Sequence, residues 1–132
     1  MMERDLKSIL ARNPDHVESL NALGYTLADR TDRLQEAGEL ISRALELRPG
    51  DYFILDSMGW LQYRLGHLDE AVKYLRRALE SKMDIEIAAH LGEVLWVKGD
   101  KQGAQEVWQK ALDVGPATKK KIITKVMERL QR

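Results

Sequence analysis

Glycine recurs in this chain at a fixed spacing, and its neighbours recur with it. Between residues 55–71 and 88–104, Gly59 falls on Gly92, Gly66 on Gly99 and Ala71 on Ala104. Further along, Ala78 falls on Ala111, and every offset is 33. An earlier copy runs through Leu20, Leu23, Gly24, Ala37, Ala44 and Pro49. Ala37 and Ala44 stand 34 residues before Ala71 and Ala78, but Gly24 stands 35 before Gly59. The first copy therefore holds one extra residue, in the turn near 29–33. A chain that repeats at this period folds as stacked copies of one unit, because no single unit can bury its apolar face alone.

Each copy reads as two helices and a tight turn. The apolar residues are 19 Leu and 12 Ala against 7 Ile, 7 Val and one Phe, a balance that favours helix over strand. Asp15 with Glu18 three residues on reads as a capping box, and Asp51 and Asp84 read as further helix starts. Gly66 and Gly99 sit where a left-handed residue would end a helix. Pro49 and Pro116 follow second helices. The spacing predicts helices over 16–30, 33–47, 52–64, 68–81, 85–97 and 101–113. Residues 3–12 match the end of a second helix, with Ile9 five before Pro14 as Ala44 is before Pro49, so the chain is expected to begin inside a repeat. Residues 118–131 carry Ile122, Ile123, Val126, Met127 and Leu130 on one face and form a last helix. The expected organisation is a half repeat (3–13), repeats at 14–50, 51–83 and 84–116, and a capping helix at 117–132.

This pattern resembles the tetratricopeptide repeat. The matching residues are Leu20-x₂-Leu23-Gly24 with Ala37-x₃-Ile41-x₂-Ala44 and Pro49, then Leu55-x₂-Met58-Gly59 with Ala71-x₃-Leu75-x₂-Ala78, then Ala88-x₂-Leu91-Gly92 with Ala104-x₃-Trp108-x₂-Ala111. The resemblance covers about 14–116 and implies an all-α superhelix that binds other proteins without catalysis. Gln62 and Met83 depart from the family pattern, standing where Tyr and Pro are usual. The wording of 20–31 and 56–66 is similar to the C-terminal repeats of bacterial tetratricopeptide outer-membrane lipoproteins. That likeness implies a cell-envelope, periplasm-facing parent, with the cytoplasm as the alternative. It also implies an adaptor role, with carboxyl-terminal processing proteases as one client class.

In stacked repeats the first helix of each pair lines the concave face. Offsets of three and four around the repeat glycines place Asn21, Tyr25, Asp56, Trp60, Tyr63, Glu93 and Trp96 on that face. Phe53 and Arg64 join them. Aromatic rings with polar tips bury large areas at low entropic cost, so this groove suits a peptide or helix with apolar anchors. Asn21, Asp56 and Arg64 would set polar register. Trp108 and Tyr74, on second helices, are expected in the core or on the convex surface. Family members that hold a terminal carboxylate use Lys, Asn and Arg on the concave face. Here Asp56 and Glu93 stand at such positions and would repel an acid, so a neutral or basic segment is the expected partner.

Other functions lack residues to carry them. No cysteine is present to supply a thiolate. His16, His67 and His90 lie in different repeats with no i, i+4 pair, and no phosphate loop or nucleophile elbow occurs, so neither catalysis nor a cofactor is expected. Formal net charge is zero, which disfavours nucleic acid as partner, but the zero is a sum. Residues 117–132 hold Lys119, Lys120, Lys121, Lys125, Arg129 and Arg132 against Glu128, a net +5, and leave −5 on the rest. This helix reads as a solvating cap, with contact to anionic lipid or nucleic acid as the alternative. A structural rival also stands: Leu6, Ile9 and Leu10, left open at the start, would favour a homodimer.

Overall fold

A computed structural model describes residues 2–131; Met1 and Arg132, the last cation of the basic tail, lie outside the described residues. Eight α-helices follow in order: α1 (Met2–Arg12), α2 (Val17–Arg30), α3 (Leu34–Leu47), α4 (Tyr52–Arg64), α5 (Leu68–Ser81), α6 (Ile85–Lys98), α7 (Lys101–Val114) and α8 (Lys120–Leu130). A single 3₁₀ turn, Ala117–Lys119, leads into α8. Helices α2 and α3, α4 and α5, and α6 and α7 form the three expected pairs. Helix α1 packs on α2, and α8 packs on α6. The architecture is an α-α superhelix.

The two helices of a pair have different apolar patterns for a physical reason. The second helices bury one stripe each, always small–large–small at i, i+4 and i+7: Ala37-Ile41-Ala44, Ala71-Leu75-Ala78 and Ala104-Trp108-Ala111. The first helices lie between their partner and the neighbouring repeats, so they bury more of their surface than the second helices do. In α4 every residue from Ile54 to Leu61 is buried.

The large residue of each stripe packs directly on the glycine of the first helix. A Cβ on Gly24 would stand 2.6 Å from Ile41 Cγ1, and one on Gly59 would stand 2.7 Å from Leu75 Cγ. On Gly92 it would fall inside the indole of Trp108. Trp108 is itself fully buried, and its Nε1 has no hydrogen-bond partner among the described residues.

The turns bear out most of the expected punctuation and correct one part of it. Asp51 and Asp84 cap α4 and α6, each accepting two backbone N–H bonds. Gly66 and Gly99 hold φ of 85° and 103°, the left-handed region that glycine enters without strain. The expected Asp15 capping box is replaced. His16 is the N-cap of α2, and its Nδ1 accepts from the Ser19 N–H. Asp15 instead pairs with Arg43 at 2.9 Å, and Glu18 with Arg48 at 3.2 Å. The longer first turn has no glycine. Thr31 closes it, donating to the Leu27 carbonyl at 2.6 Å and accepting from the Arg33 N–H at 3.0 Å.

The ends of the stack are covered. Leu6 and Leu10, expected to lie open, pack against the cluster built by α2, α3 and α4; of the three, only Ile9 is exposed, at 41%. At the other end Ile123 of α8 is fully buried among α6 and α7 residues.

The glycine contacts predict a ranked outcome. Gly92→Ala meets a rigid indole and lowers unfolding free energy by about 2–3 kcal/mol. Gly59→Ala meets a flexible leucine and costs about 1 kcal/mol. Urea denaturation of the two variants checks the order.

Candidate functional site

The inner face is built by α2, α4 and α6, and its polar residues connect across repeats rather than within them. Asp56 of α4 accepts from His90 Nδ1 of α6 at 2.7 Å. His90 Nε2 lies 3.3 Å from the Tyr25 hydroxyl of α2. The Trp60 indole N–H donates to Asp29 at 3.0 Å, and its ring stacks on His90 with centroids 4.3 Å apart. The Tyr63 hydroxyl donates to Glu93 at 2.9 Å, and Arg129 of α8 pairs with the same carboxylate. Arg64 covers the end of α2, donating to the carbonyls of Ala28 at 2.6 Å and Asp29 at 3.1 Å. Apart from the Tyr25–His90 contact, which spans two repeats, each link joins residues about one repeat period apart.

These positions separate the nine sequence-selected residues into two groups. Asn21, Tyr25, Phe53 and Asp56 line a cleft of about 350 Å³, together with Glu18, Arg48, Glu86 and His90. Phe53 is 53% exposed, and its ring lies tilted beside that of Tyr52. Trp60, Tyr63, Arg64, Glu93 and Trp96 lie outside the cleft. Trp60 is only 7% exposed. Trp96 turns toward α7, with its ring 5.8 Å from Trp108 and Lys101 Nζ 4.9 Å from its centroid. Trp108 lies in the core, and Tyr74 is half-buried beneath Arg77. Asp56 and Glu93 are buried and carry ion pairs, so neither is a free carboxylate.

His90 is the residue that sequence reading passes over. Its signal is the offset of 34 from Asp56, one repeat, which stacks the two on adjacent first helices. Burial alone would depress its pKa. The Asp56 charge and hydrogen bond, with Glu93 and Asp29 nearby, outweigh burial and hold the imidazole above the ordinary 6.5. Burial first, then the Asp29 and Asp56 carboxylates, push the Tyr25 phenol far above its ordinary range. Burial and the hydrogen bond to Glu93 do the same for Tyr63. Both phenols therefore stay protonated.

Comparison with known proteins decides the family. The family model described as Tetratricopeptide repeat matches residues 3–52 and 57–117. The chain belongs to the tetratricopeptide repeat family. It is 60% identical over 92 residues to the TPR repeat-containing protein PA4667 of Pseudomonas aeruginosa, a match covering 70% of this chain and 16% of that protein. It is 36% identical over 89 residues to human tetratricopeptide repeat protein 7A, covering 67% of this chain and 10% of that one. The chain thus spans a small part of the curated relatives it matches.

Among solved structures it resembles TTC0263, a thermophilic TPR protein of Thermus thermophilus. The TM-score is 0.83 at 21% identity, over 98% of this chain and 72% of that one. MamA matches with TM-score 0.71 at 19% identity, over 98% and 84%. These likenesses show the same fold, and tetratricopeptide repeats are typically protein–protein interaction modules.

The Asp56–His90 pair sets a pH dependence. The folded chain holds the His90 proton more tightly than the unfolded chain does. That stabilisation is complete below the unfolded value near 6.5 and is lost as pH rises through the higher folded value. Unfolding free energy from urea melts at about pH 6 exceeds that at about pH 9. His90→Gln shrinks the difference. Both points lie above the range where the lowered carboxylates of Glu3, Glu18, Glu36 and Asp69 titrate.

Proposed function

We propose that this tetratricopeptide array is a non-catalytic adaptor that receives a segment of a partner protein on the face lined by α2, α4 and α6. The observation that carries the proposal is the cleft beside Phe53. It combines an exposed aromatic ring with polar side chains held in place by inter-repeat hydrogen bonds. A pre-organised polar floor and an apolar anchor are what peptide grooves use for register and affinity. Asn21, Tyr25, Phe53 and Asp56 are the contact residues of this reading. Trp60, Tyr63, Arg64 and Glu93 support it by tying neighbouring helices to one another, and Trp96 by packing beside Trp108 of α7.

The resemblance to outer-membrane lipoproteins selects the partner to test first, a carboxyl-terminal processing protease of the cell envelope. The chain contributes the groove to that pairing and no chemistry of its own.

Two variants separate groove from scaffold. Phe53→Ala leaves the thermal midpoint unchanged and weakens partner binding about tenfold, as loss of an interface anchor does. Trp60→Ala lowers stability by about 3–4 kcal/mol, because it empties a buried site. Affinity capture from cell extract with wild type and Phe53→Ala, scored beside their melting curves, checks both. Equal capture of the same partner by the two proteins contradicts the groove assignment.

A further inference from the structure

The cleft holds more hydrogen-bond acceptors than donors. Asn21 Oδ1 is buried in its wall and has no partner among the described residues. Asp56 is 8% exposed and gives one oxygen to His90; its other oxygen receives no hydrogen bond from the described residues. Glu86 stands exposed at the rim, and its carboxylate makes no hydrogen bond or ion pair to a described residue. Whichever way the Asn21 amide is turned, Asp56 and Glu86 offer only acceptors.

The cations already present are committed. Arg48 lies 3.2 Å from Glu18 and 4.0 Å from Asp51. His90 is held by Asp56 and faces Tyr25. An anionic ligand would meet the carboxylates of Glu18, Asp51, Asp56 and Glu86, and a purely apolar one would leave the second Asp56 oxygen unpaired. A long cationic side chain supplies donors without acceptors, and its charge can lie against the faces of Tyr25 and Phe53. A cleft of about 350 Å³ falls at the small end of ligand sites, the size of one side chain rather than a helix.

We infer that this cleft takes a lysine or arginine side chain from the partner segment, with Asp56 and Glu86 as its acceptors. The inference rests on the adaptor reading above and adds the chemistry of the anchor. Screening by salt weakens the contact at Glu86 most, because that carboxylate is exposed.

The test pans a random-peptide phage library on the whole chain and measures the enriched peptides by fluorescence anisotropy. The expected peptides share one basic residue. Replacing it by norleucine weakens binding about tenfold, the loss of a charge-assisted hydrogen bond. Glu86→Gln weakens the basic peptides about threefold, as an exposed pair would. It leaves the norleucine peptides unchanged, and the circular dichroism spectrum with them. Phe53→Ala weakens both sets. Peptides that respond to Phe53→Ala but carry no basic residue, or ignore Glu86→Gln, overturn the cationic anchor and leave the adaptor groove standing. No enrichment, or peptides indifferent to Phe53→Ala, overturns both.

Discussion

The close approach of each helix pair at a glycine is the constraint on which everything else depends. Gly24, Gly59 and Gly92 have no side chain because Ile41, Leu75 and Trp108 occupy that space. The contact sets the distance between the two helices of a pair, and the small alanines on either side keep it uniform along the stripe. Stacking of the pairs sets successive first helices side by side. Residues one period apart then become neighbours in space. That is why Asp56 meets His90, Tyr63 meets Glu93, and Trp60 meets Asp29.

The polar links that result are more than decoration on a packed core. Most sit in partly buried surroundings, where an unpaired group is costly, so each fixes the orientation of its neighbour. Arg64 shows the economy of the arrangement. It reaches back to the α2 carbonyls that helix geometry leaves open, and so repairs a first turn that has no glycine. The same links hold Tyr25 and Asp56 at the cleft.

The helices and their pairing were legible in the sequence because they follow from a period. Gly66 and Gly99 announced their turns, and Asp51 and Asp84 their caps, through local rules that tertiary context did not override. His16 displaced Asp15 as a cap because Arg43, 28 residues away, takes the Asp15 carboxylate. Helical phase placed Trp60 on the inner face, but it could not show that His90 from the next repeat covers the ring. Glu93 read as a free acid for the same reason: its partners Tyr63 and Arg129 lie about one period to either side. What escaped the sequence was side-chain pairing between repeats, which depends on the stacking distance as well as on phase.

In the proposed adaptor the partner sits on the face of α2, α4 and α6, with Phe53 at its edge. Site-specific photo-cross-linking tests it most directly, with the reactive residue placed in turn at Phe53 and at Arg76, an exposed position on α5. A partner seated on this face is captured through position 53 and not through position 76. Capture through position 76 alone would contradict it.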